Sequence, residues 1–161
     1  MYETILVPVD GSAPSDAAAE HAIALARDAG ATLSVLSAVD THALEAAKLD
    51  AAELLEGYEA EAEKYVDAVA ERARDVGVDV DVETAVVRGA PYRVILDRID
   101  EIGADLVVMG SQGRRGLERY LLGSTTERVF RLSAVPVLVL RSDEGDYRDP
   151  DDADRFGSTD A

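Results

Sequence analysis

Asp105-Leu106-Val107-Val108-Met109, followed at once by Gly110, is the stretch that says most about the fold. It is short and almost wholly apolar, and a glycine ends it, which is typical of a strand in the centre of a sheet that is covered on both faces. Two further short apolar runs cover residues 4–9 and the segment from Val135 to Leu140. Together they predict strands of one sheet with an aliphatic core.

Helical segments separate the predicted strands. Residues 14–29 carry apolar side chains on one helical face, and another helix begins at Pro91, where the first helical turn tolerates proline. A long helical stretch covers about residues 43–76, with Gly57 as a predicted break, and a last helix covers 124–132. This alternation predicts an α/β domain with a doubly wound parallel sheet and helices on both faces. Its five predicted strands are residues 4–9, 32–39, 78–87, 105–109 and 135–140.

The third predicted strand has a different pattern from the others. Val78, Val80 and Val82 alternate with acidic residues, so one face of this strand is expected to be exposed to solvent. This pattern predicts a strand at an edge of the sheet. At the other end of the chain, residues 142–161 are acidic and poor in apolar side chains, which predicts a disordered tail after a single domain over residues 1–141.

The charge of the chain is strongly negative. Among 161 residues, 33 are acidic and 16 basic, with a net charge of −17, and only two of the basic residues are lysines, Lys48 and Lys64. This balance argues against general nucleic-acid binding, because phosphate backbones would be repelled. An ordinary acidic protein remains an alternative, but the scarcity of lysine favours adaptation to high salt, where screening relieves self-repulsion.

Targeting features and cysteines also restrict the possible classes. No apolar run approaches the roughly 20 residues of a membrane span, and the start of the chain lacks the pattern of a secretory signal. There are no cysteines, which excludes disulfides and thiolate sites. We therefore expect a cytoplasmic protein with no membrane partner.

Glycines after the fourth predicted strand suggest a phosphate-binding loop. Gly110-Ser111-Gln112-Gly113 is followed, nine residues later, by Gly123-Ser124-Thr125-Thr126 at the start of a helix. Glycines let backbone N–H groups come close to phosphate oxygens, and a helix N-terminus attracts anions. The intervening residues Arg114, Arg115 and Arg119 form a basic cluster in an acidic chain. If the first and fourth strands are neighbours, Asp10 and Gly110 flank the crevice where open α/β sheets bind ligands.

A purely structural explanation stays open for this loop. Glycines often make turns, and Ser124 with Glu127 matches a helix capping box that needs no ligand. The Walker motif is absent because no lysine precedes Ser124, and Asp10-Gly11-Ser12 does not match the dinucleotide fingerprint. His21 and His42 show no pattern of a catalytic triad.

Several of these motifs, in this order, resemble the universal stress protein family. The likeness is carried by Gly-x2-Gly-x9-Gly-Ser after the fourth strand, by the opening through Pro8 to Ser12, by Gly89-Ala90-Pro91 and by the closing strand. It implies a Rossmann-like sheet with strand order 3-2-1-4-5, ATP with Mg²⁺ as ligands, Asp10 as the metal ligand, and a homodimer through the last strand, Val135 to Leu140. Ser37 and Gln112 depart from the family, standing where histidine is frequent. The residues that would line the nucleotide site are Pro8, Val9, Asp10, Ala38, Val39, Met109, Gly110, Gly113, Arg114, Gly123, Ser124 and Thr125.

Three functions fit these residues. The first is an ATP-binding stress-response or signalling protein that is not primarily an enzyme. The second is a slow ATP hydrolase or phosphotransferase, in which Asp10 would orient a water and Arg114 or Arg115 would stabilise developing charge. The third is a dimeric scaffold that binds no nucleotide.

Overall fold

A computed structural model describes residues 1–46, 51–76, 81–112 and 122–142. The predictions that concern residues 77–80, Gly113, the three arginines of the loop and the acidic tail lie outside the described residues.

Five parallel strands form one sheet in the order β3-β2-β1-β4-β5. The predicted sheet and strand order are therefore confirmed. The strand β1 lies at the centre of the sheet, and its Ile5 pairs with Leu33 of β2 on one side and with Leu106 of β4 on the other. The strands are β1 Thr4–Pro8, β2 Thr32–Val39, β3 Val82–Arg88, β4 Leu106–Gly110 and β5 Val137–Leu140.

Helices cover both faces of the sheet, as predicted. Alternation along β1 sends Ile5 and Val7 into the core beneath α1 and α3, and sends Leu6 into the core beneath α4 and α5. No helix of the described ranges is both long and apolar enough to cross a bilayer. The helices are α1 Ala13–Ala29, α2 Thr41–Ala46, α3 Ala51–Asp75, α4 Pro91–Ile102 and α5 Ser124–Leu132.

The predicted break at Gly57 is wrong, because α3 continues through it. A glycine inside a helix costs about 1 kcal/mol relative to alanine. The same helix buries Val66 and Val69 completely or nearly so, and burying one such side chain contributes about 1.5–3 kcal/mol. Packing of the apolar face therefore outweighs the local preference of one glycine.

Each predicted strand is present, β2 has the predicted bounds, and the ends of β1, β4 and β5 differ from prediction by at most two residues. β3 lies at a sheet edge, as its alternating pattern indicated. Asp105 stands before β4, and its carboxylate accepts hydrogen bonds from the backbone N–H of Glu3 at 2.8 Å and of Thr4 at 3.1 Å. Asp105 therefore ties the start of β1 to the start of β4.

Two glycines give opposite stability predictions. Gly57 lies in a helix interior with open space around it, so Gly57→Ala should raise the free energy of unfolding by about 0.5–1 kcal/mol. Gly103 also faces open space but ends α4 at φ +63°, so Gly103→Ala should lower it by about 1–2 kcal/mol. Urea unfolding of both variants measures this difference, and two changes of the same sign would contradict it.

Candidate functional site

The loops that follow β1 and β4 leave the same edge of the sheet. The two strands are neighbours, with Leu6 paired to Val107, so their carboxyl ends lie side by side. Across this edge the Ser12 hydroxyl lies 3.5 Å from the backbone oxygen of Gln112. In open α/β sheets this crevice is where ligands bind.

The first loop is a tight turn built on Asp10. Its Oδ1 accepts hydrogen bonds from the backbone N–H of Ser12 at 3.0 Å and from the Ser12 hydroxyl at 2.5 Å. Gly11 between them has φ +79°, a conformation that glycine adopts without strain. Ser12 is the N-cap of α1 and accepts from Ser15 N–H at 3.3 Å. The Asp10 carboxylate is thus held at a fixed place beside the N-terminus of α1.

Gly110, at the end of β4, has a packing role that the sequence did not indicate. A Cβ on Gly110 would lie 2.7 Å from the carbonyl carbon of Pro14 and 2.8 Å from the nitrogen of Ser15. The absence of a Cβ was expected to admit a phosphate at this position. In the structure the first turn of α1 occupies that space, so Gly110 brings α1 and β4 into direct backbone contact.

The second glycine segment starts α5 and is bonded to the end of β4. Gly123 donates its N–H to the oxygen of Ser111 at 2.8 Å, and the Thr126 hydroxyl donates to the oxygen of Gly110 at 2.8 Å. Thr126 is 2 % exposed, so this bond satisfies a buried carbonyl. The start of α5 is therefore fixed against the edge of the sheet that carries Asp10 and Gly110.

The capping box considered for Ser124 and Glu127 does not form. Gly123 is the N-cap of α5, which makes Ser124 the first helical residue, and no side chain caps this helix among the described residues. The Glu127 carboxylate instead bonds Arg131 one turn later. The first backbone N–H groups of α5 therefore carry no capping side chain, which leaves a positive helix end at this edge.

The structure brings most of the predicted site residues to one edge. Pro8, Val9 and Asp10 follow or end β1, Ala38 and Val39 end β2, and Met109 and Gly110 end β4. Val9, Val39 and Met109 are each 4 % exposed, so they offer mainly backbone to a ligand. The start of α5, with Gly123, Ser124 and Thr125, is held at the same edge by hydrogen bonds from Gly123 to Ser111 and from Thr126 to Gly110. Gly113 and Arg114 lie outside the described residues.

Four residues of this region were not singled out from the sequence. The Ser15 hydroxyl accepts a hydrogen bond from the backbone N–H of Asp10 at 3.3 Å. The backbone of Ser111, just after β4, bonds Leu140 of β5 and Gly123 at the start of α5. Thr126 adjoins the glycine motif, so its place in the chain was a usable signal. Tyr65 of α3, whose ring covers Gly11, is 54 positions from it and gave no signal in the sequence.

The surroundings of the Asp10 turn bear on metal binding and include a cavity. The described part of the chain contains no group of three or more His, Asp or Glu side chains able to hold a metal ion. A cavity of about 480 Å³ lies between α1 and α3 and is lined by Val9, Gly11, Tyr65, Val69 and Arg72, among others. It adjoins the Asp10 turn from the α3 side.

Comparisons with known proteins agree on one family. The model of the universal stress protein family matches residues 1–141. Universal stress protein MJ0531 of Methanocaldococcus jannaschii is 36 % identical over 143 residues, which cover 88 % of this chain and 83 % of the relative.

Solved structures agree as well. The structure of the hypothetical protein MJ0577 superposes with a TM-score of 0.78 at 30 % identity and covers 88 % of this chain and 96 % of that one. A universal stress protein in complex with cAMP superposes with a TM-score of 0.63 at 28 % identity, covering 88 % of this chain and 98 % of that one. The chain belongs to the universal stress protein family.

Proposed function

We propose that this protein binds ATP with Mg²⁺ at the carboxyl ends of β1 and β4 and acts as a nucleotide-dependent stress-response or signalling module in the cytoplasm. The observation that carries the proposal is the start of α5, which has no capping side chain and is fixed beside Gly110. An uncapped helix N-terminus offers N–H donors and a positive dipole end to a phosphate.

The phosphates would lie against Gly123, Ser124 and Thr125, with Gly113 and Arg114 on the loop before them. Adenine and ribose would lie along Pro8, Val9, Ala38, Val39, Met109 and Gly110. Mg²⁺ usually binds through one or two carboxylates together with substrate phosphates, so the single carboxylate of Asp10 fits this kind of site. Bound there, the ion would neutralise the repulsion between Asp10 and the phosphates.

A relative supports the class of ligand. The universal stress protein solved in complex with cAMP carries an adenine nucleotide on the same fold. This chain shares the family and the fold with that protein, and the proposal extends the ligand class to it. Slow hydrolysis of the bound ATP is the second candidate, and it concerns the same site.

One pair of variants tests the site without harming the helix. The backbone of Gly123 has φ −59° and ψ 153°, which any residue can adopt, so Gly123→Asp should cap α5 and keep or slightly raise stability. The new carboxylate would occupy the N–H groups and repel phosphate, so MgATP affinity should fall about tenfold or more, equivalent to ~1.4 kcal/mol. Isothermal titration calorimetry measures the affinity, and thermal unfolding measures the stability.

Ala90→Asp is the matched control, because Ala90 is the N-cap of α4 and also lacks a capping side chain. It should leave ATP affinity unchanged. Failure of the unmodified protein to bind ATP at millimolar concentration would refute the proposal, and equal affinity in Gly123→Asp would remove the start of α5 from the site. Phosphate release measured in the same samples tests the hydrolase alternative.

The second part of the proposal is a homodimer through β5. This strand lies at a sheet edge, and exposed apolar side chains gather there: Leu138 is 37 % exposed, and Phe130 and Leu132 of neighbouring α5 are 62 % and 61 % exposed. An edge strand with apolar neighbours is a template for pairing with another chain. A second copy of β5 would cover both the edge and this surface.

Charged substitutions at the two sheet edges test the dimer. Leu138→Glu should convert the protein to a monomer in sedimentation velocity, because two glutamates would meet across a two-fold axis. Val87→Glu is the matched control, since Val87 is 39 % exposed on β3 at the opposite edge. A dimer that survives Leu138→Glu but dissociates in Val87→Glu would assign the interface to β3 instead.

The acidic composition supports a third proposal, adaptation to high salt. With a net charge of −17, self-repulsion should weaken as the Debye length falls from about 10 Å at ~0.1 M to about 3 Å or less above 1 M salt. The urea midpoint of unfolding should therefore rise clearly between ~0.1 M and ~3 M KCl. Equal midpoints at both concentrations would contradict the adaptation.

A further inference from the structure

The Asp10 turn is covered from one side by an aromatic ring. A Cβ on Gly11 would lie 2.5 Å from Cζ, 2.6 Å from Cε1 and 2.9 Å from the hydroxyl oxygen of Tyr65. The ring therefore rests directly on the backbone of Gly11, in the space that any other residue would fill with its own side chain. Tyr65 itself is half-buried and packs against the core beneath α1 and α3.

Helix α3 holds this ring in place. Val66, the next residue, and Val69, one turn later, are 0 % and 2 % exposed. One turn further, the Arg72 guanidinium lies 3.4 Å from the Asp16 carboxylate of α1. Tyr65, Val69 and Arg72 are spaced four and three residues apart, so they share the face of α3 that looks onto α1. The buried face of α3 therefore places the ring over Gly11.

The conformation of Gly11 decides where the Asp10 carboxylate lies. Gly11 is the single residue between Asp10 and Ser12, and both hydrogen bonds from Ser12 to Asp10 Oδ1 span it. Glycine changes its backbone angles more easily than any other residue, so Gly11 is the flexible point of a turn that the bonds of Ser12 otherwise hold. The Tyr65 ring adds a packing contact at that point.

We propose that Tyr65 is a positioning residue, which holds the Asp10–Gly11–Ser12 turn so that the Asp10 carboxylate meets the metal-bound phosphates of the nucleotide. This inference rests on the proposed function, because it deepens the role of Asp10 in that site. A ring that acts only by packing would affect overall stability, whereas a positioning ring also affects the order of the turn and the contribution of Mg²⁺ to binding.

The nucleotide-free protein provides the first measurement. Hydrogen exchange of the Ser12 amide, which donates to Asp10 at 3.0 Å, should be about tenfold or more faster in Tyr65→Ala, since the turn opens locally. Tyr65→Phe keeps the ring and should exchange much more slowly than Tyr65→Ala. Tyr58→Ala is the matched control, because Tyr58 lies on the same helix and is 46 % exposed.

The affinity for ATP provides the second measurement, taken once with Mg²⁺ and once with EDTA. Loss of a group that orients a metal ligand weakens metal binding about 10–100-fold. Tyr65→Ala should therefore raise the Kd of MgATP about tenfold and leave the Kd in EDTA nearly unchanged. Tyr65→Phe should raise the Kd of MgATP clearly less than Tyr65→Ala does, and Tyr58→Ala should keep both values. If Tyr65→Ala does not fold, Tyr65→Leu, which keeps an apolar side chain without a ring, replaces it.

The outcomes separate the two proposals. If the unmodified protein binds no ATP, the proposed function fails and the positioning role fails with it. If it binds MgATP and Tyr65→Ala or Tyr65→Leu shows the same Mg²⁺ dependence and the same Ser12 exchange, the positioning role alone is overturned. Faster exchange together with a selective loss of the Mg²⁺-dependent affinity, rescued in Tyr65→Phe, supports it.

Discussion

Direct backbone contact between the first turn of α1 and the end of β4 determines the geometry of this protein's sheet edge. It requires a residue without a Cβ at position 110, where any side chain would meet Pro14 and Ser15 below van der Waals distance. The Asp10 turn contacts the loop after β4 through Ser12 and Gln112, and the start of α5 is bonded to Ser111 of the same loop. Tyr65 closes the turn from α3, so elements from three parts of the chain converge on Asp10 and Gly11.

The same contact explains why the glycine at position 110 supports the candidate site indirectly. The backbone oxygen of Gly110 accepts the hydrogen bond from Thr126, which fixes the start of α5. On the side where a Cβ would stand, Gly110 packs against the backbone of Pro14 and Ser15 in α1. One residue thus contacts the first turns of two helices. The Ser12 side chain caps the N-terminus of α1, whereas no described side chain caps the N-terminus of α5. The N-terminus of α5 is therefore better able to donate N–H groups to an anion.

The sequence predicted the parallel sheet and its edges well, because these depend on patterns that are local. Continuous apolar runs and an alternating strand translate directly into central and edge positions, and the strand order follows from the family likeness. The break at Gly57 failed because burial along α3 exceeds the cost of one helical glycine. The reasons for Gly110 and Tyr65 could not be read from the sequence, since each is a contact between residues dozens of positions apart. Gly110 stays a predicted site residue, and the structure adds a packing reason for its lack of a side chain.

The hydrogen bonds from Glu3 and Thr4 to Asp105 join residues 102 and 101 positions apart. The central strand pair of the sheet therefore joins widely separated segments of the chain, and such non-local pairing slows folding because a long loop must close first. During synthesis the ribosome must release β4 before β1 has a partner on that side. A nascent chain that carries only β1, β2 and β3 leaves one side of β1 unpaired, and an unpaired strand edge is a template for pairing with another chain.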